Sequence, residues 1–249
     1  MLKGATLFLL WEGVPHRRTK DMDFLRFGSS DQNALKNVVL EICNQKAEDD
    51  GITFEMNSLV IGPIRAQQEY DGYRIEVMVS LGQARLKLWM DIGFGDKVKP
   101  NRVKWPSLLD APEPEINVYP KEAVIAEKFH AMVEHGIDNS RMKDFFDLHY
   151  MATKHSFQST AIIQAISATF GSRKVTLPEQ LPIGLTDEFA TNGMKNKQWT
   201  GFLKKNSSSD LKLPEAIQVI RNFLWPLVEH MRDGATDDLK WRPGGPWKA

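Results

Sequence analysis

Asp21 and Asp23 stand two residues apart in the run Lys20-Asp21-Met22-Asp23-Phe24. On a strand, side chains alternate between faces, so both carboxylates would project the same way, about 7 Å apart. Two parallel carboxylates repel each other unless a cation lies between them. Mg²⁺ is held by one or two carboxylates plus substrate phosphates, so the pair points to phosphate-handling metal chemistry. A solvated Asp-x-Asp loop would carry the same letters. A third carboxylate, Asp91, ends the alternating run from Arg85 to Asp91 on its polar parity, just before Gly93 and Gly95. Taken alone it reads as a solvated strand-end aspartate. Three carboxylates from two strands suit phosphoryl or nucleotidyl transfer, in which two metal ions about 3.5–4 Å apart stabilise the attacking and leaving oxygens. Asp21 and Asp23 would hold the metal on a triphosphate and share the other. Asp91 would complete the second and help deprotonate an acceptor hydroxyl. Gly4 would let the backbone approach the phosphates, with Thr6 beside them.

A second constellation is Ala126-Glu127-Lys128-Phe129 with Arg141-Met142-Lys143-Asp144-Phe145-Phe146-Asp147-Leu148. Lys128 borders an apolar helical stripe, where a lysine snorkels or finds a partner. Asp144 and Asp147 are three apart, hence neighbours on a helix surface. Two readings stay open. In one, Lys128 or Arg141 pairs with Asp144 and fastens two helices. In the other, Lys128 neutralises charge building up on a leaving pyrophosphate. His16-Arg17-Arg18 is either a phosphate contact or a solvated loop. His130, His135, His149 and His155 lack metal-ligand spacing, and Glu127 and Glu134 read as helix-surface charges. No Walker loop, nucleophile elbow, paired CxxC or HExxH occurs.

The elements that must position these residues can be read from periodicity. Residues 5–12 form a short helix or strand stub, ended by Gly13-Val14-Pro15. Asp21 to Phe27 is a strand. Gly28-Ser29-Ser30-Asp31 is a turn ending in an N-cap, and the helix after it carries Leu35, Val38, Val39 and Ile42 on one face. Asp49-Asp50-Gly51 stops that helix. Strands follow, with Ile52, Phe54 and Met56 alternating, then Ile75, Val77 and Val79, then Leu86, Leu88 and Met90 opposite Arg85, Lys87, Trp89 and Asp91. Pro100 to Pro120, with five prolines, reads as a loop-rich connector. Val124, Ile125, Phe129, Met132 and Val133 begin a helical half. Asn139 or Ser140 caps a helix with Phe145, Leu148, Met151 and Ala152. Further helices are expected at Ser159–Thr169, Asp187–Ala190, Lys195–Lys205 and Pro214–Met231, with Pro226 bending or ending the last. Gly171 to Gly184 and the tail from Asp233 read as irregular, and Ser207-Ser208-Ser209 as a linker. The fold class is therefore α+β, a small mixed sheet with flanking helices over residues 1–115 and a helical bundle over 116–249.

Composition sets the outer bounds. The chain has 249 residues, 42% hydrophobic and 26% charged, which affords a sizeable core. Lys+Arg and Asp+Glu are both 32, so no global field draws in nucleic acid or a membrane surface. The run Thr6-Leu7-Phe8-Leu9-Leu10-Trp11 is too short to span a bilayer and lacks a signal-peptide cleavage site. Cys43, the single cysteine, reads as a small core residue and suits a reducing cytoplasm.

The run LKGATLFLLWEGVPHRRTKDMDFL resembles the first motif of the AbiEii/AbiGii-type nucleotidyltransferases, a family of the DNA polymerase β-like superfamily that includes toxins of type IV toxin–antitoxin systems. The family pattern of Lys-Gly-Gly-Thr, His-Arg-x-Ser/Thr and Asp-x-Asp-Phe maps to Lys3, Gly4, Ala5 and Thr6, then His16, Arg17 and Thr19, then Asp21, Asp23 and Phe24. KLWMDIGFGD is similar to the second motif, with Asp91 as third carboxylate. YPKEAVIAEKFHAMVEHGIDNSRMKDFFDL is similar to the later motifs, and LTDEFATNGMKNKQWTGFLKK to the helical C-terminal region. The resemblance implies a nucleotidyltransferase core completed by a helical domain, with Asp21, Asp23, Asp91, Lys128 and Asp144 as catalytic residues. It implies Gly4, Ala5, Thr6, Arg17, Thr19, Lys143 and Asp147 as substrate contacts, and Mg²⁺ or Mn²⁺ on Asp21, Asp23 and Asp91. It implies an NTP substrate, an RNA (tRNA 3′ end) or protein acceptor, and a cognate antitoxin.

Two departures stand out. Ala5 replaces the second Gly or Ser of the superfamily pair, and its β-carbon crowds a phosphate there. Family members also carry a helical stretch before the glycine motif, so the apolar residues at this chain's start are expected to lack cover. That leaves four readings: truncated, wrongly started, oligomeric or inactive. Two functional alternatives follow, a catalytically inactive nucleotide- or partner-binding protein and a transferase that modifies small molecules such as antibiotics.

Overall fold

The computed structural model describes residues 1–45, 51–64, 72–95, 98–107, 112–206 and 210–249. The chain divides into two compact units, Met1–Asp96 with Pro100–Tyr119, and Lys97–Lys99 with Pro120–Ala249.

The first unit is built on alternation. β1 (Leu2–Lys3) passes through a 3-10 turn at Gly4–Thr6 into α1 (Leu7–Glu12), then come β2 (Asp21–Leu25), α2 (Gln32–Cys43), β3 (Ile52–Pro63), β4 (Gly72–Leu81), β5 (Ala84–Gly93), β6 (Asn101–Lys104) and β7 (Glu115–Val118). The seven strands form one mixed sheet in the order β3-β4-β5-β2-β1-β7-β6. β2 runs parallel to β5, β1 parallel to β7, and the remaining pairs are antiparallel. The apolar parity of the strands carries α2. Leu35 and Val39 from the helix join Ile75, Ile92 and Phe94 in the core, with Phe24, Cys43 and Met90 packed against it. Burying each of those two helix side chains contributes roughly 1.5–3 kcal/mol. Asp31 starts the helix by accepting from the Ala34 N–H at 2.7 Å.

Four local expectations change. Only half of the predicted α2 stripe is core, since Val38 and Ile42 are exposed. The strand begun at Asp21 ends at Leu25, short of Phe27. The proline-rich connector holds β6 and β7, because Pro100, Pro106, Pro112 and Pro114 flank four-residue strands and leave their interiors free to pair. Residues 5–12 are helical, and Leu2, Leu7 and Phe8 at the chain's start are buried, not bare. The stop signal at Asp49-Asp50 lies outside the described residues.

The second unit contains α3 (Lys121–His135), α4 (Met142–Lys154), β8 (Phe157–Gln158), α5 (Ser159–Ser172), α6 (Asp187–Thr191), α7 (Gly193–Asn206), α8 (Leu213–Arg232), β9 (Lys240–Trp241) and β10 (Trp247–Lys248). Val124, Ile125, Phe129 and Met132 of α3 and Phe145, Leu148, Met151 and Ala152 of α4 are buried as their spacing predicts. α8 runs through Pro226, held by Leu224, Leu227 and Val228, all fully buried. The tail is ordered beyond expectation. β9 pairs with β8 and β10, the Trp241 indole donates to the Ala152 carbonyl at 2.7 Å, and Trp247 stacks on Phe223. Two indoles with carbonyl partners supply the apolar area that makes short strands worthwhile. Ser207-Ser208-Ser209 lies outside the described residues. Among the described residues no helix is long and apolar enough to cross a membrane.

Candidate active site

Register decides which side chains share a face. In the parallel β2–β5 pair, Asp21 lies opposite Trp89 and Asp23 opposite Asp91. Alternation then places Asp21, Asp23 and Asp91 on one side of the sheet, the side opposite α2. In the antiparallel β4–β5 pair, Arg74 lies opposite Asp91 and Glu76 opposite Trp89. Lys3 of β1 lies opposite Asp23. This polar face is cross-linked by Lys87–Glu76 at 2.9 Å and by a two-pronged Arg85–Glu55 pair.

The glycine motif meets the acidic pair directly. Gly4 sits at φ +76°, and a β-carbon there would overlap the Asp23 carboxylate, whose Cγ would be 2.7 Å away. Gly4 is therefore needed to admit Asp23 itself, a closer duty than the phosphate approach expected of it. Ala5 and Thr6 complete the 3-10 turn, and the Thr6 hydroxyl oxygen is buried without a hydrogen-bond partner. Thr19 Oγ1 lies 3.3 Å from Asp21 Oδ1 and 3.2 Å from the Asp21 carbonyl oxygen, so this hydroxyl steadies the start of β2. His16 stacks on Phe8 with ring centroids 3.6 Å apart, and Arg17 donates to the Arg18 carbonyl at 3.3 Å.

Asp91 has a partner that sequence reasoning missed. Arg74 Nε donates to Asp91 Oδ1 and Nη2 to Oδ2, both at 2.7 Å, and the same Nη2 is 3.6 Å from Asp21 Oδ2. The hydrogen bonds to Asp91 push the Arg74 guanidinium further above its already high range. Among the described residues, no three His, Cys, Asp or Glu side chains are grouped closely enough to hold a metal ion. The donor chemistry still suits a hard cation, since Asp21 and Asp23 offer only carboxylate oxygens along one strand face.

The helical unit holds the second constellation. Lys128 Nζ of α3 donates to Asp144 Oδ1 at 2.7 Å and lies 2.8 Å from Asp147 Oδ2 of α4, while Arg141 Nε donates to Asp144 Oδ2 at 2.6 Å. Both aspartates are buried, and Lys128 is only 12% exposed. Burial of Asp144 opposes its ionisation, but Lys128 and Arg141 outweigh this and hold its carboxyl at about 2. The pairing reading of this motif is thus realised in the fold. Lys143 is exposed on α4, outside the cluster. Asn139 is buried in the α3–α4 link. It donates to the Ala131 carbonyl at 3.3 Å, accepts from the Arg141 N–H at 2.9 Å, and its carbonyl accepts from the buried Lys195 ammonium at 3.0 Å.

A family model described as "Nucleotidyl transferase AbiEii toxin, Type IV TA system" matches residues 1–222. The chain belongs to the AbiEii nucleotidyltransferase toxin family. A comparison with curated proteins finds no match. Among solved structures, a candidate nucleotidyltransferase from H. pylori aligns over 95% of this chain and 89% of its own, with 16% identity and a TM-score of 0.50. JHP933 from Helicobacter pylori aligns over 94% and 85%, with 16% identity and a TM-score of 0.48. At such identity the first likeness speaks for fold alone, and the second adds nothing to it. The α+β fold of this AbiEii member is the one its motifs predict.

Proposed function

We propose that this AbiEii-family chain transfers a nucleoside monophosphate from an NTP to an acceptor hydroxyl, with release of pyrophosphate, and acts as the toxin of a toxin–antitoxin pair. The observation carrying this reading is the placement of Asp21, Asp23 and Asp91 on one face of the sheet through the β2–β5 register. Asp21, Asp23 and Asp91 would hold Mg²⁺ or Mn²⁺. When bound, the cation offsets negative charge on the phosphoryl group being transferred. Asp91 is the base offered to the acceptor hydroxyl, and the turn at Gly4, Ala5 and Thr6 with Arg17 and Thr19 is the proposed phosphate-side contact. In the helical unit, Lys128 is the ammonium proposed to meet a phosphate, with Asp144 and Asp147 fixing it and Lys143 reaching substrate. A tRNA 3′ end or a protein residue is the proposed acceptor, and its recognition must be local because the chain carries no net charge.

The test is label transfer from α-labelled NTPs with Mg²⁺ or Mn²⁺ and total RNA or lysate, resolved on a gel. Asp21→Asn and Asp23→Asn should each lower transfer by at least about a hundredfold, since a catalytic metal is worth several kcal/mol of charge stabilisation. Transfer at the wild-type rate by both variants refutes the reading. A second reading, a nucleotide- or partner-binding protein without catalysis, draws on the Arg74 fork that engages both Asp91 oxygens. Mg²⁺-dependent NTP binding by calorimetry, with no pyrophosphate released in any lysate, would favour it.

A further inference from the structure

The acidic face already contains a cation. Arg74 lies directly across from Asp91 in the hairpin register, and its planar fork takes both Asp91 oxygens while Nη2 reaches toward Asp21. Strand adhesion does not require this. The β4–β5 hairpin is hydrogen-bonded from Gly72–Gly93 to Leu81–Ala84, and Lys87–Glu76 clasps the same face. What the guanidinium does accomplish is electrostatic. Asp21 and Asp91 belong to different strands, and the guanidinium offsets the repulsion between them without any bound ion. A guanidinium cannot lose its charge by deprotonation. A divalent cation approaching Asp91 therefore meets a permanent positive charge already bonded to both oxygens, and Arg74 must leave for the cation to enter. The path out is open, because the Arg74 side chain is 42% exposed while Asp91 is 14% exposed.

We infer that Arg74 is a resident counter-ion of the acidic face, competing with a divalent cation for Asp91, so that metal loading and release of the Arg74 guanidinium are one exchange. The inference rests on the proposed reading that this face takes metal. It assigns Arg74 a positioning role: Asp91 is aimed by the fork, but withheld, until a divalent cation arrives. A phosphate matches the released fork as a new bidentate partner, so nucleotide should favour the exchange.

The test is Mn²⁺ binding to the full chain without nucleotide, read by electron paramagnetic resonance of free Mn²⁺. Arg74→Ala should tighten binding about fivefold, the upper range for a half-exposed charge pair. The gain should vanish in the Arg74→Ala/Asp91→Asn double variant. Arg74→Lys, which keeps the charge but loses the fork, should give a smaller gain, and it decides the matter if the alanine variant does not fold. Adding a non-hydrolysable NTP analogue should tighten Mn²⁺ binding in the wild type more than in Arg74→Ala. Equal affinity in wild type, Arg74→Ala and Arg74→Lys, with Asp23→Asn still weakening binding, overturns the exchange and leaves the metal-site reading standing. Mn²⁺ binding indifferent to Asp21, Asp23 and Asp91 substitutions overturns both, and the carboxylate variants identify which has failed.

Discussion

Asp144 pits burial against pairing, and its titration gives that contest a measurable pH range. Its ordinary carboxyl value of 3.8 is lowered to about 2 in the fold by Lys128 and Arg141. A depressed carboxyl stabilises the folded state above its unfolded value and loses that contribution as pH falls through its folded value. The window is therefore about pH 4 down to pH 2, and the contribution is about 2 kcal/mol. Denaturant titrations across that window should show wild type losing more stability than Asp144→Asn, and identical losses would discharge Asp144 from the role. At neutral pH, Asp144→Asn should cost about 3 kcal/mol, the low end for breaking a buried pair, because Lys128 keeps Asp147. At this scale the sequence was readable wherever spacing alone sufficed. Lys128 beside an apolar stripe with Asp144 and Asp147 three apart announced a cluster, and Asp31 announced a cap. Asn139 and Lys195 were not readable as a clamp, because their contact joins residues far apart in the chain through a main-chain carbonyl that leaves no mark on composition.

Elements carry register, and here legibility splits sharply. Gly82 and Gln83 make a two-residue hairpin turn, with Leu81 opposite Ala84. Counting back from that turn along both strands lands on Arg74 and Asp91, so their pairing was available from the letters once the turn was taken as fixed. The β2–β5 register was not available, since parallel neighbours are joined by long connections and no local turn sets which residues face each other. The three-carboxylate face thus rested on alternation within each strand and on the family motif. β6 and β7 were missed because four-residue strands between prolines carry too few alternations to be told from loop. The α3–α4 link is an element-level device of the same kind. Asn139→Ala would leave the Ala131 carbonyl and the Arg141 N–H without their side-chain partner, at a cost of about 1–3 kcal/mol. Thermal unfolding should fall accordingly, and an unchanged midpoint would mean that water replaces the side chain at no loss.

At the level of the whole molecule, balanced charge said only what the protein does not do by bulk attraction, and the family motifs did the rest. The chain divides into two compact units, one carrying the acidic face and one carrying the Lys128 cluster. The seven tryptophans are spread over both units. Trp89 alternates onto the acidic side, opposite Asp21, and its side chain is hydrogen-bonded to Glu76. Nature has in effect mounted a fluorophore beside the carboxylates. Paramagnetic Mn²⁺ seated there should dim its emission while diamagnetic Mg²⁺ leaves the intensity largely intact, and subtracting the spectrum of Trp89→Phe isolates that signal. Dimming of equal depth in the subtracted protein would place the ion elsewhere, and a label-free optical gauge of occupancy is what the β2–β5 pairing otherwise provides.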